Sequence, residues 1–150
     1  MLQALASLRA AGRTVALANG LFDLLHVGHL HYLEGAKEQA DLLVVAINSD
    51  ASARALKGPS RPVVPQEERA ELVAGFACVD YVMIFEESSV EPVLRSVRPD
   101  VHCKGTDYTS DTVPEREVAK ELGIRGAIVG DPKTHATRDL IDRVRRPPRG

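Results

Sequence analysis

The sequence predicts an α/β fold, an open twisted parallel sheet of about five strands with helices on both faces. Two observations carry this expectation. Short apolar runs alternate with segments of helical periodicity along the chain, and those runs are apolar at consecutive positions, as strands covered on both faces must be.

The elements follow in order. Residues 2–11 read as an amphipathic helix with Leu2, Leu5 and Leu8 three residues apart. The first strand, 14–18, is followed by the turn pair Asn19-Gly20. A helix over 28–40 carries Leu30, Leu33 and Ala36 on one face, extended by Tyr32 and Ala40, and the next strand occupies 42–47. Further strands are expected at 81–85, 101–103 and 127–129, and helices at 65–77, 89–97, 113–122 and 137–145. The stretch Gly58-Pro59-Ser60-Arg61-Pro62 reads as a mobile loop. The whole reads as a single domain over 1–144 with a flexible basic tail at 145–150.

Composition narrows the function classes. With 150 residues, 44% of them hydrophobic, the chain can bury a substantial core. Its 21 acidic and 19 basic residues give a net charge of −2, so no basic field recruits nucleic acid, and small molecules are the expected partners. Every apolar stretch is interrupted well before the ~18 residues a membrane span needs, and the start lacks the pattern of a secretory leader, so a cytoplasmic location and no membrane partner are expected. Cys78 and Cys103 lie in apolar surroundings and fit a reducing compartment, as buried small hydrophobes without a catalytic role.

In a sheet of this kind, ligands bind at the carboxyl ends of the strands, near the switch in strand order. Asn19 to His29 follow the first strand, Asn48 to Asp50 the second and Lys104 to Tyr108 the fourth, so these segments are expected to converge on one crevice. His26 and His29 stand at a helix entrance, where unpaired N–H groups and the positive end of the helix dipole suit an anion. Their imidazoles add hydrogen-bond donors, and Gly28 removes a side chain that would keep a phosphate from the backbone. The same two histidines also fit a capping and packing arrangement, or half of a metal site. Neither a Gly-x-Gly-x-x-Gly fingerprint nor a P-loop offers a competing phosphate site.

The run Asn19-Gly20-Leu21-Phe22-Asp23 followed by His26-Val27-Gly28-His29 resembles the signature of the cytidylyltransferase-like nucleotidyltransferases. The segments Asn48-Ser49-Asp50, Leu56-Lys57-Gly58, Arg61-Pro62-Val63, Glu68-Arg69, Val79-Asp80, Phe85-Glu86-Glu87, Arg98-Pro99-Asp100 and Lys104-Gly105-Thr106-Asp107-Tyr108 follow in the order of one branch, the D-glycero-β-D-manno-heptose 1-phosphate adenylyltransferases. The resemblance covers residues 14–144 and implies a Rossmann-like fold. It also implies attack by a sugar phosphate oxygen on the α-phosphorus of ATP, giving ADP-heptose and pyrophosphate, with magnesium bridging phosphate oxygens.

Under this resemblance His26, His29 and Lys57 are the expected catalytic residues. Asn19, Gly20, Leu21, Phe22, Gly28, His29, Lys104, Gly105, Asp107, Thr137 and Arg138 are expected to bind the nucleotide, and Asp23, Asp50, Lys57, Arg61 and Arg69 the sugar phosphate. Asp23 and Asp50 fit a metal or substrate contact as well as a cap and a turn residue. Arg61 and Arg69 match phosphate geometry but also read as solvated surface charges. His31 reads as a surface residue and His102 as a locally paired strand residue.

One stretch departs from the pattern. In Thr134-His135-Ala136-Thr137-Arg138-Asp139, Ala136 and Arg138 stand where the family carries hydroxyls, and only Thr137 retains one. Polyol-phosphate cytidylyltransferases and a weakly catalytic nucleotide-binding module are the alternatives. A homo-oligomer, a dimer, is expected, and a separate kinase is expected to supply the sugar phosphate.

Overall fold

The computed structural model describes residues 1–132 and 136–146. Five strands, β1 (Val15–Gly20), β2 (Leu42–Asn48), β3 (Tyr81–Phe85), β4 (Val101–Lys104) and β5 (Arg125–Ile128), form one sheet in the order β3-β2-β1-β4-β5. Every pairing is parallel. The helices are α1 (Leu2–Ala10), α2 (Val27–Lys37), α3 (Asp50–Lys57), α4 (Gln66–Ala74), α5 (Glu91–Val97), α6 (Arg116–Glu121) and α7 (Thr137–Arg145). This is the doubly wound, Rossmann-like α/β architecture that the alternating pattern predicts.

The two-residue period of a strand divides the apolar residues between two cores. Val15, Leu17, Leu42, Val44 and Ala46 pack with Leu5 of α1, Val93, Leu94 and Val97 of α5, and Val118 of α6. Ala16, Ala18, Leu43, Val45 and Ile47 point the other way, against Leu33 and Ala36 of α2 and Val73 of α4. All seven residues of β2 are buried. The chain runs from β1 outward through β2 to β3, then returns to lay β4 on the opposite side of β1. The crevice between the carboxyl ends of β1 and β4 is therefore the topological switch point.

Several expectations shift. β1 runs through Asn19 and Gly20, which pair with Ala46 and Ile47, so the turn falls at Leu21 and Phe22 instead of at Asn19-Gly20. α3 occupies a stretch to which the sequence pattern assigns no element, just ahead of the expected loop. Ser49 caps it by accepting from the Ser52 N–H at 3.1 Å, and the Ser52 hydroxyl donates to the Glu87 carbonyl at 2.9 Å. Lys57 is the exposed last residue of this helix, and the loop that follows is tied down at Arg61, Val63 and Val64. β5 begins at Arg125, two residues earlier than expected, and is largely exposed, because an edge strand needs no apolar cover on its outer side. Of the expected tail, Arg145 ends α7 and Arg146 follows as its cap, while 147–150 lie outside the described residues, as do Thr134 and His135.

Candidate active site

The turn between β1 and α2 is built by steric fit. Phe22 adopts φ 51°, a left-handed conformation that costs a non-glycine residue about 1–2 kcal/mol, and its buried ring holds it there. Gly20 makes room for that ring: a Cβ at position 20 meets Phe22 Cε2 at 3.2 Å. The Phe22 ring stacks at 6.3 Å on Tyr32 and lies 5.5 Å from the His29 imidazole, which fixes the turn against the first coils of α2.

His26 is the N-cap of α2. Its Nδ1 accepts from the Gly28 N–H at 3.1 Å, while His29 Nδ1 accepts from the His26 N–H at 3.2 Å. The two rings lie 4.0 Å apart. These bonds decide the chemistry of both side chains. A neutral imidazole whose Nδ1 accepts must carry its proton on Nε2, so each histidine is held as the Nε2–H donor. The capping reading of the sequence is met at the Nδ1 edges, and each ring then carries its proton on Nε2. Gly28 serves this directly, since a Cβ there stands 2.8 Å from His26 Cε1 and 2.9 Å from Nδ1. Room for the His26 ring is one thing the glycine provides. Gly28→Ala is expected to displace the ring and lower turnover at least tenfold, with only a small fall in thermal midpoint; steady-state kinetics with a melt checks both.

Two expected substrate contacts are instead internal struts. Asp23 is 2% exposed, and its carboxylate accepts from Arg61 Nε at 2.7 Å, from Val63 N–H at 3.0 Å and from Val64 N–H at 2.9 Å. Burial raises the pKa of this acid, but the Val63 and Val64 amides and Arg61 outweigh it and hold the carboxyl below its usual range. Arg69 is fully buried. Its Nε donates to the Val64 carbonyl at 2.9 Å, Nη1 to the Leu21 and Asn48 carbonyls at 2.6 and 2.9 Å, and Nη2 to Asp50 at 2.9 Å. A guanidinium used in four directions by the protein is not a surface charge and has no face for a substrate. Together Asp23 and Arg69 clamp the loop after α3 onto the turn after β1. Arg61 is anchored through Nε on Asp23, and Asp50 through Arg69 and, at its N–H, through Gln66 Oε1 at 2.8 Å.

The β4 side of the crevice carries Lys104, Gly105 and Asp107. Lys104 is the last residue of β4 and is buried, while Asp107 is exposed. Asn19 accepts at Oδ1 from His102 Nε2 at 2.9 Å, which fixes His102 as the Nε2–H tautomer. Tyr32 of α2 reaches across to donate to the Cys103 carbonyl at 2.8 Å. The last helix returns to the site as well: the Thr137 hydroxyl, buried, donates to the Leu24 carbonyl at 3.1 Å, and the exposed Arg138 follows it. His31 is half-exposed and pairs with Asp131, beyond this crevice.

His102 supplies a stability signature. Burial, reinforced by Lys104, lowers its pKa from the usual 6.5 to about 3. The unfolded chain takes up this proton near pH 6.5 and the folded chain does not. Stability from this group is therefore complete above that pH and falls by about 1.4 kcal/mol per pH unit as the pH drops toward 4. His102→Gln, which keeps a donor for Asn19, is expected to flatten the profile between pH 6 and pH 4 in urea unfolding.

Among the described residues no three His, Cys, Asp or Glu side chains are grouped to hold a metal ion. Asp23 and Asp50, the two carboxylates that the sequence offers as metal contacts, are instead paired with Arg61 and Arg69.

The paired histidines at a helix start beside the switch point of a parallel sheet are what the sequence resemblance leads one to expect, and the chain belongs to the cytidylyltransferase-like family, whose model matches residues 17–143. Bifunctional protein HldE of Syntrophotalea carbinolica is 43% identical over 136 residues, 91% of this chain and 28% of that protein. Bifunctional protein HldE of Geobacter sulfurreducens is 44% identical over 140 residues, 93% of this chain and 29% of that protein. The chain thus spans under a third of the length of these relatives. Among solved structures, a lipopolysaccharide core biosynthesis protein from Thermoplasma volcanium superposes with a TM-score of 0.70 at 27% identity, covering 81% of this chain and all of that one.

Proposed function

We propose that the chain transfers the adenylyl group of ATP to D-glycero-β-D-manno-heptose 1-phosphate, giving ADP-heptose and pyrophosphate. The observation that carries the nucleotidyl-transfer part is the pair of Nε2–H donors fixed at the N-terminus of α2, beside the switch point. The sugar follows from the ordered Leu56-Lys57-Gly58, Arg61-Pro62-Val63 and Lys104-Gly105-Thr106-Asp107-Tyr108 segments, which resemble the heptose branch.

Both reactants are anions, so the site must offset repulsion and align them. An oxygen of the sugar phosphate forms a bond to the α-phosphorus, and the bond from that phosphorus to the bridging oxygen breaks, releasing pyrophosphate. His26 and His29 donate to the phosphate oxygens that gather charge. The α2 N-terminus and the backbone at Leu21 and Phe22 cradle the same group. Lys57 and Arg61 add charge on the acceptor side, and Gly105, Asp107, Thr137 and Arg138 flank the nucleotide. A divalent cation accompanies the triphosphate; we take it to be magnesium, arriving as part of the substrate with its own waters. A separate kinase supplying the sugar 1-phosphate, a dimeric assembly and a cytoplasmic location complete the reading. The last is supported by the free Cys78 and Cys103 and by the lack, among the described residues, of any helix long and apolar enough to cross a membrane.

One observation favours a second reading. Ala136 is the N-cap of α7 and offers no hydroxyl to a phosphate, which suits a weak nucleotide binder; the other alternative, a cytidylyltransferase of polyol phosphates, rests on the shared histidine turn. Mass spectrometry of products from ATP or CTP, each with heptose 1-phosphate or glycerol 3-phosphate, separates them. ADP-heptose alone is the expected product. A CDP-polyol, or no nucleotide sugar at all, overturns the reading.

A further inference from the structure

The only buried side-chain oxygen without a hydrogen-bond partner among the described residues is Glu115 Oε2. Glu115 is the N-cap of α6 and is 8% exposed. The Lys104 ammonium lies 3.7 Å from that oxygen, close enough for ionic attraction and too far for a hydrogen bond. On its other side the same ammonium sits 4.6 Å from the centroid of the Tyr108 ring. One carboxylate oxygen has thus been withdrawn from water without the hydrogen bond that normally offsets the cost, with only the neighbouring ammonium charge beside it. A buried pair of this kind adds little stability over an apolar pair of the same size. Its place in the fold gives it another use. Lys104 ends β4, next to β1, at the crevice where the nucleotide enters.

We propose that Glu115 is a positioning residue for nucleotide binding: it holds the Lys104 ammonium, short of a hydrogen bond, at the carboxyl end of β4, from which the ammonium reaches a phosphate oxygen of ATP. This rests on the adenylyl-transfer reading. The loose contact is what makes the step favourable, because the ammonium gives up no hydrogen bond to Glu115 when it donates one to a phosphate oxygen. Glu115 keeps its charge pair with Lys104 throughout.

The titratable groups that face Lys104 are Glu115 from α6, Tyr108 from the loop after β4 and His102 from β4 itself, with Tyr32 of α2 coupled to Glu115 and Tyr108. Burial lowers the Lys104 pKa, and the Glu115 charge opposes that fall. His102, with its pKa near 3, stays neutral over the range in which the lysine titrates. Removing the Glu115 charge therefore makes Lys104 lose its proton at lower pH.

The test is a binding cycle with magnesium and ATP, read by calorimetry from pH 6 to pH 10, on the full chain and on Lys104→Met, Glu115→Gln and the double variant. Melts confirm folding, and the double variant replaces both charges by neutral groups. Lys104→Met is expected to weaken binding about 10- to 100-fold, the range for loss of a charge-assisted hydrogen bond. Glu115→Gln is expected to weaken it about 5-fold near pH 8 and to move the alkaline loss of affinity to lower pH. The double variant is expected to bind as Lys104→Met does. Unchanged affinity and pH profile in Glu115→Gln, or an effect that adds in full to that of Lys104→Met, overturns the proposal. Pyrophosphate release by the unmodified chain is measured separately, so its absence counts against adenylyl transfer and leaves the binding cycle to judge Glu115.

Discussion

Replacing His26 or His29 by alanine is expected to lower turnover about 10²- to 10³-fold, the loss found when one preorganised donor to developing charge is removed. Alanine also deletes the Nδ1 acceptor, so each variant is expected to lose about 1 kcal/mol of stability with its cap. Substitutions that keep the cap separate the two roles. Asparagine at 26 is a good N-cap, and glutamine at 29 completes a capping box with the His26 N–H. His26→Asn and His29→Gln are therefore expected to recover stability in urea unfolding and not turnover. Recovery of both together shows that the histidines serve the helix alone.

The second large effect concerns a residue that touches no substrate. Arg69→Met leaves the Val64, Leu21 and Asn48 carbonyls and the Asp50 carboxylate without the fully buried guanidinium that joins them. Removal of one partner from a buried, hydrogen-bonded charge pair costs about 3–5 kcal/mol, and a loss of that size is expected in urea unfolding. Arg69→Lys is expected to fare little better, because one ammonium cannot spread its donors in the plane that the guanidinium uses. Activity at a temperature where either variant remains folded is also expected to fall, since the Leu21 carbonyl is released and the turn that seats Phe22 and His26 loses its tie to α4. A variant as stable as the parent contradicts this clamp.

The turn after β1 was legible in the sequence because its chemistry is local. A strand end and a helix start lie within a dozen residues, and the capping bonds of His26 and His29 span only two and three positions, although β1 runs through Asn19-Gly20 and carries the turn on to Leu21 and Phe22. The parallel sheet was legible for a similar reason: the unbroken apolar run of β2 requires cover on both faces. Arg69 and Asp23 were misread because their roles depend on distant segments. Arg69 stands in the polar run Gln66-Glu67-Glu68-Arg69, which reads as a solvated helix face, and only the tertiary fold puts Leu21 and Asn48 over it. Asp23 finds its partners about forty residues further along, at Arg61, Val63 and Val64. α3 was passed over since its small and charged residues give no wide apolar stripe, although Ser49 followed by Ser52 marks its cap.

The two Nε2–H edges of His26 and His29 are expected to grip the nucleotide's phosphates. Long-range ¹H–¹⁵N correlation spectra of the histidine rings test it most directly, recorded on the free chain and on titration with ATP and magnesium. The expected result is that His26 and His29 are both Nε2–H tautomers before ATP is added and that both Nε2–H signals shift as it binds. An Nδ1–H tautomer at either position, or Nε2 signals that stay in place at saturating ATP, contradicts the claim.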